Sequence, residues 1–286
     1  MDGRKGTVMY KRCIIFALAL ALCSTASAQQ KLNLDIQLLK LGVRGSQNSF
    51  EPDDVFSAQS NSDLTVGSLP ESSFKSGRAN FRSRFTPRLA FDFGTKERGW
   101  TAVAWGFRQT ARTGSEASSS WRMSSRLEAA SIDVAYRMRI AGNFSTYAGI
   151  KTAYMRTEEA NTTASVKTQN VAAAGGVGPL LGMSYSVKIS RLELAASVSQ
   201  SFLGMRSQSS FQGERSYRDF WETAGFASVT EASARALFKL TNRLSAGLGA
   251  FFSSWHGVTV INGQDSSPSR QNITFGGGLA SVGFSF

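Results

Sequence analysis

The stretch FTPRLAFDF, residues 85–93, places Phe85, Pro87, Leu89, Phe91 and Phe93 on one parity and Thr86, Arg88, Ala90 and Asp92 on the other. Reading backwards adds Arg82 and Arg84 to the polar set. An extended chain turns successive side chains to opposite faces, so such a segment needs an apolar medium on one side and a polar one on the other. The pattern recurs. In ASIDVAYRMRI (130–140), Ile132, Val134, Tyr136, Met138 and Ile140 oppose Ser131, Asp133, Arg137 and Arg139. Residues 177–187, 192–202 and 231–240 repeat it, the last two with Glu193, Glu231, Arg235 and Lys239 on the polar side.

Less cleanly patterned segments at 32–44, 100–112, 144–157, 244–255 and 272–286 bring the expectation to about ten strands, with eight or twelve as alternatives. Each is close to the ~9–11 residues that a tilted membrane strand requires. The connections alternate in length. GTKERG (94–99), AGN (141–143), KISR (188–191) and TNR (241–243) are short; 45–80, 113–125, 158–170, 204–228 and 256–271 are long and polar. Short turns at one end and long loops at the other are the habit of transmembrane barrels of the bacterial outer membrane. The fold class predicted is therefore all-β, an antiparallel up-and-down transmembrane barrel over residues 29–286. A soluble sandwich or lipocalin-like barrel would also alternate, but its loop lengths need not.

The start of the chain agrees with export. Arg4, Lys5, Lys11 and Arg12 precede the apolar run CIIFALALALC (13–23), and Ala26 and Ala28 sit where a leader peptidase expects small residues. The run is too short to span a bilayer, which takes about 20 residues. Residues 1–28 read as a cleaved signal peptide, and a Gram-negative-type cell outer membrane is the expected destination. Cys13 and Cys23 are the only cysteines, so the exported part would carry no disulfide. A lipoprotein reading of Leu20-Ala21-Leu22-Cys23 is disfavoured by the bulk of Leu22. Without the leader the chain keeps 28 basic and 19 acidic side chains, a charge of +9. The basic groups are scattered singly and do not form the patches of a nucleic-acid binder, so the expected partners are outer-membrane lipid and lipopolysaccharide.

The chain ends in SVGFSF, with Val282, Phe284 and Phe286 on one parity. In a closed barrel the last strand pairs with the first, so no edge is left unpaired in lipid. A final strand ending in Phe also resembles the signal read by the outer-membrane assembly machinery, which is thus a second expected partner. Several stretches together resemble the pore-forming outer-membrane protein family typified by the Legionella major outer-membrane protein. They are PRLAFDFGTKERGW (87–100), SIDVAYRMRI (131–140), GVGPLLGMSYSV (176–187), LELAASVSQSFLGM (192–205) and AGLGAFFSSWHG (246–257). The resemblance implies a membrane barrel that forms pores for small solutes, and it supplies no catalytic residues.

The inward parity is expected to carry Arg82, Arg84, Arg88, Asp92, Arg108, Asp133, Arg137, Lys151, Glu193, Glu231, Arg235 and Lys239 as lumen-lining residues. Two readings follow: a narrow, anion-preferring pore, or a closed structural or surface-interaction barrel with a charged plug. Ten strands enclose little more than a packed interior, and Gly247, Gly249, Gly277, Ser197, Ser199 and Ser281 are expected to leave room along one wall. The acidic residues Glu51, Asp53, Asp54 and Asp63 suggest that 45–63 folds into the mouth. A third reading is a hydrolase built on the sole histidine, His256, expected just past a strand, with Ser253 or Ser254 as nucleophile and Asp53 and Asp54 as carboxylates. These residues match no catalytic constellation, and no enzyme activity is expected. Nor is a metal or cofactor: the mature chain has one His and no Cys, and the glycines at 175, 176, 178 and 182 lack the Lys-Ser/Thr of a phosphate loop. Asn161-Thr162-Thr163 fits a glycosylation triplet and marks an expected exposed loop.

Overall fold

The alternating segments hydrogen-bond side by side into one sheet that closes on itself. The structure, a computed structural model, describes residues 31–49, 85–95, 97–113, 122–162, 167–212, 218–261 and 268–286. Its strands are β1 Lys31–Ser49, β2 Phe85–Gly94, β3 Arg98–Thr113, β4 Arg122–Ala141, β5 Phe144–Thr162, β6 Lys167–Ile189, β7 Leu192–Gln212, β8 Arg218–Lys239, β9 Leu244–Ile261 and β10 Pro268–Ser285. All neighbours are antiparallel, and β1 pairs with both β2 and β10 to close the ring. Closure satisfies the backbone without leaving an edge, which is the condition for a sheet to stand in lipid. The predicted ten-strand barrel is thus the observed fold. The leader and residues 50–84, which include Arg82, Arg84 and the acidic positions Glu51, Asp53, Asp54 and Asp63, lie outside the described residues.

The end with the short turns is as expected. Gly94 and Gly142 adopt φ of +134° and +51°, a backbone that side-chain-bearing residues rarely adopt, and these tight turns depend on them. Phe284 stands opposite Leu34 across the closing seam, and the Phe286 amide donates to the Leu32 carbonyl at 2.9 Å. Around this end the outer wall carries Trp100, Tyr136, Phe144, Tyr185 and Phe238. Trp100 meets Tyr136 edge-on at 5.3 Å, and Phe144 lies 4.7 Å from Tyr185. Such rings form an interfacial girdle.

The other end departs from expectation. Much of the predicted loop 204–228 is strand, taken up by β7 and β8, and β6 begins ten residues before the alternation at 177 suggested. The first residues of the predicted loop 45–80 continue β1, and His256 lies inside β9 and not past its end. Asn161 and Thr162 close β5. The reason is a change of phase. Near the turns the apolar side chains face out, as Leu194, Val198 and Phe202 do on β7. Further along the same strand Leu203 and Met205 are buried inward, and Arg206 and Gln208 face out. On β8, Phe238 faces out while Ala227 and Val229 face in; on β10, Val282 faces out while Ile273 and Phe275 face in. The strands therefore continue above the apolar belt with the pattern inverted, and that inversion reads as loop.

The inner wall has little slack. A Cβ on Gly149 would collide with the β4 backbone at Val134 and Ala135. We expect Gly149→Val to destabilise the barrel by about 1–3 kcal/mol. A lower urea midpoint for folded protein in detergent micelles checks this; an unchanged midpoint would show that β4 yields without penalty.

Candidate functional site: the filled lumen

Because the lower strands turn their polar parity inward, ionisable groups from five strands meet at mid-height. Lys151 on β5 is fully buried and pairs with Asp133 on β4 at 2.6 Å and with Glu231 on β8 at 3.1 Å. Its ammonium also donates to the Ser131 hydroxyl at 2.9 Å. Glu231 accepts further hydrogen bonds from Trp105 Nε1 on β3 and Ser253 Oγ on β9, both at 3.2 Å. One carboxylate thus ties together four strands on opposite sides of the barrel. A second group lies nearer β1: Arg235 pairs with Asp35, Gln37 donates to Asp35 at 2.7 Å, and Arg88 donates to Gln37. The Arg88 guanidinium lies 5.3 Å from the Phe251 ring centroid, within range of a cation–π contact.

These six charged groups are Lys151, Arg88 and Arg235 against Asp133, Glu231 and Asp35, and their formal charges cancel. The surplus positive charge expected of the lumen is absent from this layer. Among the described inward charges nearer the turns, Arg137 donates to the Thr95 carbonyl at 3.4 Å, Glu193 pairs with Lys188 at 3.3 Å, and Lys239 is exposed. Asp92 is half-buried on the same inner face.

Above the charged layer the lumen is apolar. Trp105 and Phe107 from β3 meet Phe251 and Trp255 from β9 and Phe275 from β10, with Trp105 5.7 Å from both Phe251 and Phe275 and Phe107 5.0 Å from Phe275. Leu39, Leu127, Met155, Leu203, Met205, Val229 and Ile273 belong to the same cluster. The indole N–H of Trp255 donates to Ser253 Oγ at 2.9 Å, so both tryptophans hang their polar edges in the charged layer and their rings in the apolar one. None of these aromatic plug residues was among the predicted site positions. Their signal in the sequence is large apolar side chains on the otherwise polar parity.

The room expected beside the inner-wall residues is occupied. A Cβ on Gly182 would strike the Tyr147 ring, one on Gly249 would crowd Arg235, and one on Gly247 would crowd Leu237. Tyr147 lies across Gly182 and donates to the Val198 carbonyl at 3.1 Å. One predicted lumen residue is misplaced. Arg108 shares the parity of Trp100, is 60% exposed and pairs with Glu128 at 3.2 Å on the outer wall. Charge implies the inside only where the outer wall is apolar, and around Arg108 the outer wall carries Arg126, Glu128, Arg156 and Glu158.

The structure separates the two candidate serines. Ser253 faces in, onto Glu231; Ser254 faces out, with its Oγ 2.8 Å from His256 Nε2 and 3.2 Å from Thr274 Oγ1. Among the described residues no carboxylate contacts His256, so no third group orients the imidazole as a base. No cluster of three His, Cys, Asp or Glu side chains able to hold a metal occurs among the described residues.

Removing the Lys151 cation would leave two buried carboxylates facing each other. We expect Lys151→Met to cost about 3–5 kcal/mol. Adding Glu231→Gln should recover part of that loss, because it removes one of the stranded charges. Urea unfolding followed by tryptophan fluorescence measures both; equal destabilisation in the single and double variants would mean that the pair is uncoupled.

No protein-family model matches the chain, and no curated protein matches it. Among solved structures, the outer-membrane protease OmpT from Escherichia coli aligns over 92% of this chain and 99% of its own, with a TM-score of 0.58 and 10% identity. The toluene transporter TodX from Pseudomonas putida aligns over 93% and 92% at 10% identity and a TM-score of 0.38. The translocator domain of the autotransporter NalP from Neisseria meningitidis aligns over 98% and 96%, again at 10% identity, with a TM-score of 0.39. The likeness to the first is one of fold: this chain has the architecture of an outer-membrane β-barrel.

Proposed function

We propose that the chain is exported through cleavage of residues 1–28 and resides in a cell outer membrane. There it acts as a sealed structural or surface-interaction barrel, not as a diffusion pore. The observation that carries this reading is the filled cross-section. Lys151, Gln37, Leu39, Trp255 and Phe275 are all at 0% exposure although they point into the lumen. A pathway for hydrated solutes needs exposed polar walls, whereas here a neutral hydrogen-bonded layer lies against a dry aromatic one. Residence in the membrane is supported by exposed Leu181, Met183, Ile150, Leu248 and Phe202 on the outer wall. Val282, Phe284 and Phe286 serve as the assembly signal in this reading. The family resemblance to pore formers favours conduction, and the two readings differ in one measurement.

In planar bilayers the purified chain is expected to remain electrically silent. Steady, reproducible conductance steps would overturn the sealed reading and return the pore. Trp105→Gly with Phe275→Gly, which empties the upper layer, is expected to give leakage where the parent gives none.

A hydrolase reading rests on the contact between Ser254 and His256. With no acid beside the imidazole among the described residues, we expect no covalent labelling of the folded protein by a fluorophosphonate probe. Labelling that disappears in Ser254→Ala would establish an enzyme.

A further inference from the structure

The outer wall of β3, β4 and β5 carries a feature that a lipid-facing wall should lack. Arg108, Arg126, Glu128, Arg156 and Glu158 all lie on the outward parity. Register places them in a checkerboard: Arg108 stands opposite Glu128, Glu128 opposite Arg156, and Arg126 opposite Glu158. Arg108 Nε lies 3.2 Å from Glu128, Arg126 contacts the same carboxylate, and Arg126 and Arg156 approach Glu158 at 3.7 and 3.4 Å. Three guanidiniums share two carboxylates. Arg156 Nε is buried and lacks a hydrogen-bond partner, and Arg108 keeps most of its surface open.

Height decides what this cluster meets. Arg108 lies ten residues beyond the start of β3 and Arg156 twelve beyond the start of β5. At a rise of ~3.3 Å per residue and a tilt of ~40°, that is about 25–30 Å above the aromatic girdle at the turns, close to the ~25 Å height of an apolar band. The cluster therefore lies at the headgroup level of the far leaflet. Directly below it the wall is shallow: Ala102, Ala104 and Gly106 on β3 flank Ala130 on β4, with Gly106 opposite Ala130 and Ala104 between Leu89 and Ile132. At the height of the charged cluster itself, β7 and β8 instead present the strongly exposed rings of Phe202 and Phe226. A guanidinium cluster above an apolar trough has the shape of a phosphorylated lipid: anionic head above, acyl chain below.

We propose that this wall is a binding site for the phosphate of an outer-leaflet saccharolipid, with Arg108, Arg126 and Arg156 as its donors and the β3–β4 trough as the seat of an acyl chain. The inference rests on the outer-membrane reading above. Guanidinium forks bind phosphate through paired charge-assisted hydrogen bonds, and the two carboxylates hold the forks in place when the site is empty. A free phosphate ion offers the same oxygens but cannot use the trough.

The test uses the full mature chain folded in zwitterionic detergent, with bis-phosphorylated lipid A as probe and inorganic phosphate as competitor. Native mass spectrometry is expected to show one tightly retained lipid A per barrel, not displaced by millimolar phosphate. Arg126→Gln with Arg156→Gln should weaken retention about tenfold or more. Arg206→Gln, which breaks an outward ion pair with Glu222 on the β7–β8 wall, where Gln208 also donates to Glu222, should leave it unchanged. Equal retention in the double variant, or full displacement by phosphate, would overturn the site. Unfolding of either variant is detected by loss of its heat-modifiable gel mobility. In that event Arg108→Gln alone, at the exposed edge of the cluster, carries the comparison: weaker retention supports the site and unchanged retention overturns it. Insertion of the parent chain into lipid vesicles is scored separately. Failure there would remove the membrane reading itself, whereas insertion with unselective lipid retention would remove this site alone.

Discussion

The arrangement depends on one buried cation. Lys151 lies where the inside of the barrel changes from polar to apolar, and it is acceptable there only because Asp133 and Glu231 reach it from opposite walls. An unpaired ammonium at that depth would be strongly destabilising. Meeting its needs fixes the relative positions of β4, β5 and β8, and Glu231 then draws in β3 and β9 through Trp105 and Ser253. Cross-lumen bonds of this kind do what a hydrophobic core does in a soluble domain: they hold opposite walls at one distance. The aromatic layer above can then pack against a defined floor.

The switch in apolar parity is the second organising fact. Below it, the outer wall is apolar and the inside polar; above it, the outer wall of β3–β5 carries charge and the inside is apolar. The same strands serve both regimes without a break, because side-chain alternation is indifferent to which face is greasy. The outward charges on β3–β5, the outward Ser254–His256–Thr274 group on β9 and β10, and the inward rings all belong to the upper regime. The apolar cluster inside the barrel and the charged outer wall are thus two consequences of one inversion.

How much was legible in the sequence follows from this. The lower halves of the strands were, since Phe91, Val134 and Leu194 obey the rule of apolar side out, and the short turns marked where the strands end. Strand number and the inward placement of Arg88, Asp133, Lys151, Glu231 and Arg235 came from that rule. The upper halves were not. In β8 outward Ser228 and Thr230 and buried Ala227 and Val229, with Phe226 outward, give a weak alternation of no clear phase, which reads as loop. Arg108 departs for the same reason: its charge suggests an inward position, but the large aromatics Trp105 and Phe107 are the inward residues of its strand. The charge cancellation across β1, β2, β4, β5 and β8 depends on three-dimensional neighbours that no local pattern records.

The seam between β1 and β10 joins Asn33 to Ser285, residues more than 250 positions apart. Nothing near the N-terminus can complete its hydrogen bonds until the end of the chain has been delivered, so the final fastening is the most non-local contact in the molecule and formation should be slow. The same feature acts in reverse once the ring is shut. A closed sheet has no free edge from which to unravel, and opening it exposes two rows of unpaired backbone groups at once. Persistence of this barrel is then governed by the height of the barrier to opening as much as by its equilibrium stability.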